Sequence, residues 1–454
     1  MQNITNFTEG KILGPLLRFA FPVLCATFLQ TMYGAVDLIV VGQCCTEVSC
    51  SAVSSGGYLM QTITMLVTDL SMGLTILLGQ KLGEKKEKEC GFVIGEGLIL
   101  FTVIAFIIAV LMQFLAPLCT AALKVPSEAV NECNAYIRIC CGGAFFIVAY
   151  NVLGSIFRGL GNSRVPLIIV AIACVVNIAL DLLFVAVFKM KSAGAALATI
   201  IAQGVSVLIS MFFIKNMKMP FTFSKKSIVH NRNYTIGILK LGSPIALQNL
   251  LVGFSFLVIT SIVNSMGLIA SSGIGIAERV CGFIMLVPIA FGSSMSAFVS
   301  QNVGARKYDR TRKALLCGIG CSVTAGIFLS YLGFFHGDLL CKAFKSDNRE
   351  VVMAGWEYLK GYAIDTLFTS FLFCFVGYFN GYGKTTFVMI QGIIGALGIR
   401  VPLSFVIHHF WPKSIFYLAL ANPASTIVQI ILCGIAFIVI KKETDKYQSL
   451  EQTK

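Results

Sequence analysis

Twelve apolar stretches of membrane-spanning length run through this 454-residue chain, and they fall into two similar halves. Phe21-Pro22 enters the first stretch and Ser243-Pro244 the seventh. Gln80-Lys81-Leu82-Gly83 follows the second, and Gln301-Asn302-Val303-Gly304 the eighth. Arg158-Gly159-Leu160-Gly161-Asn162 follows the fourth, and Asn380-Gly381-Tyr382-Gly383-Lys384 the tenth. The offsets are 222, 221 and 222 residues. So constant a spacing implies an all-α integral membrane fold of twelve transmembrane helices in two pseudo-symmetric six-helix lobes. Duplication of this kind is a transporter architecture, with the substrate path between the halves.

Composition agrees. The chain is 57% hydrophobic and 12% charged, with mean hydropathy +0.84, where a soluble protein carries about a quarter charged residues. Backbone polar groups cannot stay unpaired in lipid, so each apolar stretch of about 20 residues reads as a helix. The expected spans are 15–41, 53–79, 91–118, 133–157, 165–188, 193–214, 241–266, 273–299, 314–335, 352–379, 385–408 and 414–440. The domains follow: an N-terminal lobe over 1–214, a basic cytoplasmic linker over 215–240, and a C-terminal lobe with a short tail over 241–454.

Net charge is +14, and its placement fixes an orientation. With both ends on one side, that side holds 24 of the 35 Lys and Arg, Arg18 at the first span's edge included. The opposite loops hold 7, and Arg138, Arg279, Lys360 and Arg400 lie within or beside spans. Positive charge stays inside, so both termini are expected in the cytoplasm of a multi-pass inner (plasma) membrane protein. The basic balance then reads as topology and contact with membrane lipid, and no nucleic-acid partner is expected. The polar N-terminus shows no cleavage pattern, so the first span is expected to be retained. Sixteen cysteines are scattered mostly through apolar spans, where they behave as small hydrophobes; Cys44, Cys45 and Cys50 lie near the outer surface, where a disulfide could form.

Charges inside spans are costly in lipid and call for a function. They are Asp37, Asp69, Glu96, Arg138, Asp181, Glu278, Arg279, Asp365 and Arg400. Asp37, Asp181 and Thr199 each lie five to seven residues from an outer loop, roughly 8–11 Å deep at 1.5 Å per residue. Asn177 precedes Asp181 by four, so both project from one helix face; Gln30, Tyr33 and Asp37 form a second stripe. Two carboxylates, an amide and a hydroxyl at one depth can cage sodium, or hold a proton on a buried carboxylate. A polar knot fastening helices would use the same residues. Counting 222 onward from positions 37, 177 and 181 gives Ile259, Ile399 and Leu403, so the second half lacks this set. It offers instead Glu278 beside Arg279, and Asp365, which could pair with Arg400.

These residues carry a family resemblance. Pro22…Tyr33-Gly34-Ala35-Val36-Asp37…Val41-Gly42 resembles the first helix of the multidrug and toxic compound extrusion (MATE) family. Arg158-Gly159-Leu160-Gly161-Asn162-Ser163-Arg164-Val165-Pro166 resembles its loop after helix 4, and Asn177-x-x-x-Asp181 its helix 5 motif. Thr199 falls where the family places a hydroxyl, and Gln301-Asn302-Val303-Gly304-Ala305 resembles its loop after helix 8. The resemblance implies a V-shaped transporter exporting amphipathic, often cationic molecules in exchange for protons or sodium. It implies that Asp37, Asn177, Asp181 and Thr199 form the cation site, with Gln30 and Tyr33 on the substrate path. The seventh span has no acidic residue, which suits the family's DinF-like branch over its NorM-like one.

The expected partner is a small molecule handled by a single chain, with no cofactor beyond H+ or Na+. A flippase for lipid-linked sugars, from the same wider superfamily, is the alternative; it would need several cations around its path. A major-facilitator transporter would show Gly-x-x-x-Asp-Arg-x-Gly-Arg where this chain has Gly79-Gln80-Lys81-Leu82-Gly83-Glu84-Lys85-Lys86. An enzyme is not expected, because no metal triad, nucleophile elbow or phosphate loop occurs. His230, His336, His408 and His409 all lie near span ends.

Overall fold

The computed structural model describes residues 6–217, 227–343 and 348–452, with side chains described up to residue 446. Part of the linker, with Lys226, lies outside the described residues, as does Lys345. Helices follow in the order α1 Leu13–Cys44, α2 Glu47–Gly83, α3 Glu87–Ala122, α4 Val130–Gly142, α5 Ala144–Gly159, α6 Arg164–Asp181 and α7 Lys191–Asn216. The second half continues with α8 Arg232–Ser265, α9 Leu268–Ile284, α10 Leu286–Gly304, α11 Tyr308–Lys342 and α12 Arg349–Gly381. It closes with α13 Thr385–Ile393, α14 Val401–Phe410, α15 Ile415–Ala419 and α16 Ala421–Gln452. Two π-helical segments interrupt this order, Leu182–Val187 after α6 and Ile394–Arg400 after α13.

Eleven of the resulting helical runs are long and apolar enough to cross a membrane, and α4 with α5, bent by 52°, makes a twelfth among the described residues. Most runs overshoot the apolar stretch that predicts them. Phe106, Phe114 and Leu118 of α3 stay exposed, as side chains turned to hydrocarbon should.

The repeat extends to the turns. Gly161 (φ 80°) and Gly383 (φ 76°) close the equivalent turns after α5 and α12. There Asn162 N donates to Phe157 O at 2.8 Å and Lys384 N to Phe379 O at 2.9 Å, satisfying carbonyls at the helix ends. Asn162 Oδ1 also accepts from Arg164 N and Val165 N, capping α6. Lys85 (φ 57°) and Arg306 (φ 56°) occupy the other equivalent pair of turns. Both are left-handed without being glycine, which costs roughly 1–2 kcal/mol each.

Contacts divide the described chain into two units, one containing 21–246 and the other 7–20 with 247–454. The boundary expected from sequence is therefore displaced at the N-terminus. Residues 7–20 pack with the second half because Phe7 is buried against Phe19 and Phe298, at ring distances of 5.3 and 5.1 Å. Asn302 Nδ2 and Arg310 Nε both donate to Phe7 O at 3.1 Å, and Lys307 Nζ donates to Thr8 O at 2.9 Å. Arg310 Nη2 and Nη1 reach Glu9 O and Gly10 O at 2.9 and 2.6 Å. Pro22 lies two residues past the division, inside an α1 that is helical throughout.

Within the first unit, polar contacts join α2 to α5: Thr68 Oγ1 donates to Asn151 Oδ1 at 2.9 Å, and Ser71 and Ser155 hydroxyls meet at 2.6 Å. Glu96, buried on α3, captures the start of α8. It accepts from Asn231 N at 2.7 Å, Thr235 Oγ1 at 2.5 Å and the His230 ring at 3.0 Å. A carboxylate there meets the positive end of the helix dipole.

Candidate functional site

Three helices of the first unit bring the predicted residues together. Asp37 comes from α1, Asn177 and Asp181 from the last turn and a half of α6, and Thr199 from α7. Asp37 is 5% exposed, and Asn177 and Asp181 are fully buried. Thr199 Oγ1 donates to Asp37 Oδ2 at 3.3 Å. In the amide orientation that satisfies both neighbours, the Asn177 nitrogen donates to Asp37 Oδ1 at 2.9 Å and to Asp181 Oδ2 at 3.3 Å. One amide thus joins two carboxylates. Asp181 Oδ1 is left buried with no hydrogen-bond partner. The π-helical segment begins directly after Asp181, and such widened turns recur at functional sites.

Burying a single carboxylate costs several kcal/mol unless it is paired and fully hydrogen-bonded. Two are buried here, and among the described residues no Lys, Arg or His forms an ion pair with either. Their partners are the neutral donors Asn177 and Thr199 and each other, the two carboxyls lying within hydrogen-bonding reach. A proton on one carboxyl would give the orphaned oxygen a role. A sodium ion would instead be met by carboxylate oxygens, the Thr199 hydroxyl and, after rotation of its amide, the Asn177 carbonyl.

Tyr33 and Gln30 part company. Tyr33 belongs to the same cluster, its hydroxyl donating to Thr199 O at 3.4 Å. Gln30 sits a little under two turns below Asp37, and its Nε2 donates to the Tyr150 hydroxyl at 3.2 Å. There it lines a cavity of ≈ 50 Å³ with Thr27, Tyr150, Asn151 and Arg158. Arg158 Nη2 donates to Ser155 Oγ at 2.8 Å. Tyr150 and Asn151 escape a reading by depth because they are uncharged, and Arg158 because it reads as part of a loop motif.

The second unit departs from expectation. Asp365 and Arg400 form no ion pair; Thr426 Oγ1 donates to Asp365 Oδ1 at 2.6 Å, and Arg400 Nη1 donates to Ser255 Oγ at 3.0 Å. Glu278 accepts from Thr260 Oγ1 at 3.3 Å and does not pair with Arg279. All sixteen cysteines are free, Cys44, Cys45 and Cys50 included.

Comparison with known proteins agrees in both halves. The family model described as MatE matches residues 22–183 and 244–406. The probable multidrug resistance protein YpnP of Bacillus subtilis (strain 168) is 27% identical over 400 residues, covering 88% of this chain and 89% of that one. The multidrug export protein MepA of Staphylococcus aureus (strain NCTC 8325 / PS 47) is 24% identical over 422 residues, covering 90% of each. Among solved structures, a MATE protein in the bent conformation superposes with a TM-score of 0.90 at 19% identity, covering 98% of this chain and 100% of that chain. A MOP superfamily transporter from Pyrococcus furiosus gives the same TM-score and identity over 97% and 100%.

Proposed function

This chain belongs to the MatE family and is a multi-pass membrane transporter, and on that premise we propose that it exports amphipathic, often cationic organic molecules in exchange for protons or sodium ions. The observation that carries the exchange is the buried pair Asp37 and Asp181, held by Asn177 and Thr199 with no fixed cation beside them. A charge of that kind in low dielectric attracts a mobile cation. Proton, sodium ion and cationic substrate then compete for one carboxylate pair, and each weakens the binding of the others. Such competition gives antiport once the site opens alternately to the two sides of the membrane.

In this reading Gln30 and Tyr33, on the same helix as Asp37, contact the substrate; their hydrogen bonds to Tyr150 and to Thr199 O support the assignment. The cavity beside Gln30, ≈ 50 Å³ with Thr27, Gln30, Tyr150, Asn151, Arg158 and Ser163 in its wall, has room for water and not for a whole organic molecule, so it would meet only a polar end of the substrate. The family relatives named for multidrug export support the substrate class. Both termini lie in the cytoplasm of the plasma membrane in this reading, because the Lys and Arg divide 24 to 7. One chain forms the working unit.

The test is export by everted vesicles under separate proton and sodium gradients. Asp37→Asn keeps the shape and removes the charge, so the protein is expected in the membrane at parental levels with gradient-driven export lost. Asp181→Asn is expected to behave alike. Parental export rates in either variant contradict the assignment.

A further inference from the structure

The second unit holds a polar cluster in its interior that the proposed exchange does not use. Asp365, Arg400 and Asn422 are all buried. Arg400 lies at the end of the π-helical segment, its Nη1 on Ser255 Oγ and its guanidinium over the Phe256 ring, 4.5 Å from the centroid. Arg400 Nε has no hydrogen-bond partner, and the Asn422 amide faces the Tyr358 hydroxyl. The titratable groups facing the cluster are Glu278 and Cys281 of α9 and Tyr358, Tyr362 and Asp365 of α12. Asp365 and Arg400 are opposite charges buried in the interior of one unit, each hydrogen-bonded to a neutral hydroxyl and not to the other.

The repeat gives this cluster its meaning. Ser255 lies 222 residues after Tyr33; the matched halves, 22–183 and 244–406, end at an offset of 223, so across the π-helical segment the position of Asn177 moves from Ile399, the count at 222, to Arg400, and that of Thr199 to Asn422. The contact between Arg400 and Ser255 therefore joins the same helices of the repeat as the contacts of the cation site in the first unit. The counterpart of Asp37 is Ile259, buried and apolar. At this junction the first half places a carboxylate lacking a fixed cation, and the second half places a guanidinium. A guanidinium does not lose its proton in proteins and cannot leave.

We propose that Arg400 is a resident cation, filling in the second half the place a mobile cation takes in the first and balancing Asp365, so that this half binds no coupling ion. The charge balance stands without the exchange reading of the first unit. Its consequence, a single coupling site per chain, rests on that reading.

The experiment silences the first unit with Asp37→Asn and Asp181→Asn, then adds Arg400→Gln. Purified protein is probed with radioactive sodium and, separately, for proton uptake. With Arg400 present, neither cation is expected to bind. With Arg400→Gln, about one sodium ion or proton per chain is expected, lost again on adding Asp365→Asn. A folded, monodisperse Arg400→Gln protein that binds neither cation between about pH 5 and about pH 9 overturns the proposal. Should that variant not fold, melting temperatures of the chain with Arg400→Gln, Asp365→Asn and both decide. Joint neutralisation is expected to recover most of what either change alone loses, and additive losses overturn the proposal. Failure of the exchange reading would show elsewhere, as intact export in Asp37→Asn.

Discussion

Thr199 Oγ1 donates to Asp37 Oδ2 at 3.3 Å, tying α7 to α1 where the buried carboxylates meet. The hydroxyl is a donor in this contact, and its oxygen keeps lone pairs that can face a metal ion beside the Tyr33 hydroxyl. Thr199→Ala therefore separates the two candidate ions. If protons drive export, only one neutral hydrogen bond goes, worth about 0.5–1.5 kcal/mol, and export is expected to fall a few-fold. If sodium drives it, a ligand goes too, and the sodium concentration for half-maximal export is expected to rise well beyond tenfold. Sodium titration of export in the variant reads the difference.

Asn177 supplies one amide to two carboxylates. Asn177→Ala removes both donors and leaves two buried acids facing each other. The expected loss is about 1–3 kcal/mol of stability, seen as a lower melting temperature. Acid should restore more of it than in the parent, because a proton then relieves the two facing carboxylates, whereas sodium should restore less, because one of its ligands is gone. A variant that melts like the parent under all conditions would remove Asn177 from the site.

Glu96 binds the start of α8 through Asn231 N, Thr235 Oγ1 and His230. Glu96→Gln retains the size but loses the charge-assisted bonds and the dipole term, about 1–3 kcal/mol together. Thermal stability is expected to drop, with export surviving at low temperature. His230→Ala should cost less, since that ring is mostly exposed and its hydrogen bond to Glu96 is open to solvent. Equal melting temperatures for Glu96→Gln and the parent would refute the capping role.

Much of the fold and of the first unit's site is legible in the amino-acid sequence. The offset of about 222 implies the topology, and it recurs in the paired turns at Gly161 and Gly383. Depth along the helix gathers Asp37, Asn177, Asp181 and Thr199, because those positions are set by the 1.5 Å rise alone. Rotation about the helix axis is harder to read. Arg400 and Asp365 share a region yet bind Ser255 and Thr426, because the π-helical turns ending at Arg400 alter the angle per residue. No apolar pattern announces such turns. The attachment of residues 7–20 to the second half is equally hidden. It depends on bonds from Asn302, Lys307 and Arg310 to backbone carbonyls, which side-chain patterns do not encode.

The central claim is that a cation and the substrate compete for the carboxylates at Asp37 and Asp181. The most direct measurement is the affinity of purified protein for a cationic dye, titrated from about pH 5.5 to about pH 8.5 with and without sodium. Affinity is expected to rise with pH if protons compete, or to fall with added sodium if sodium does, and Asp37→Asn should flatten the response. A parental protein whose dye affinity is the same across that range, and indifferent to sodium, contradicts the account.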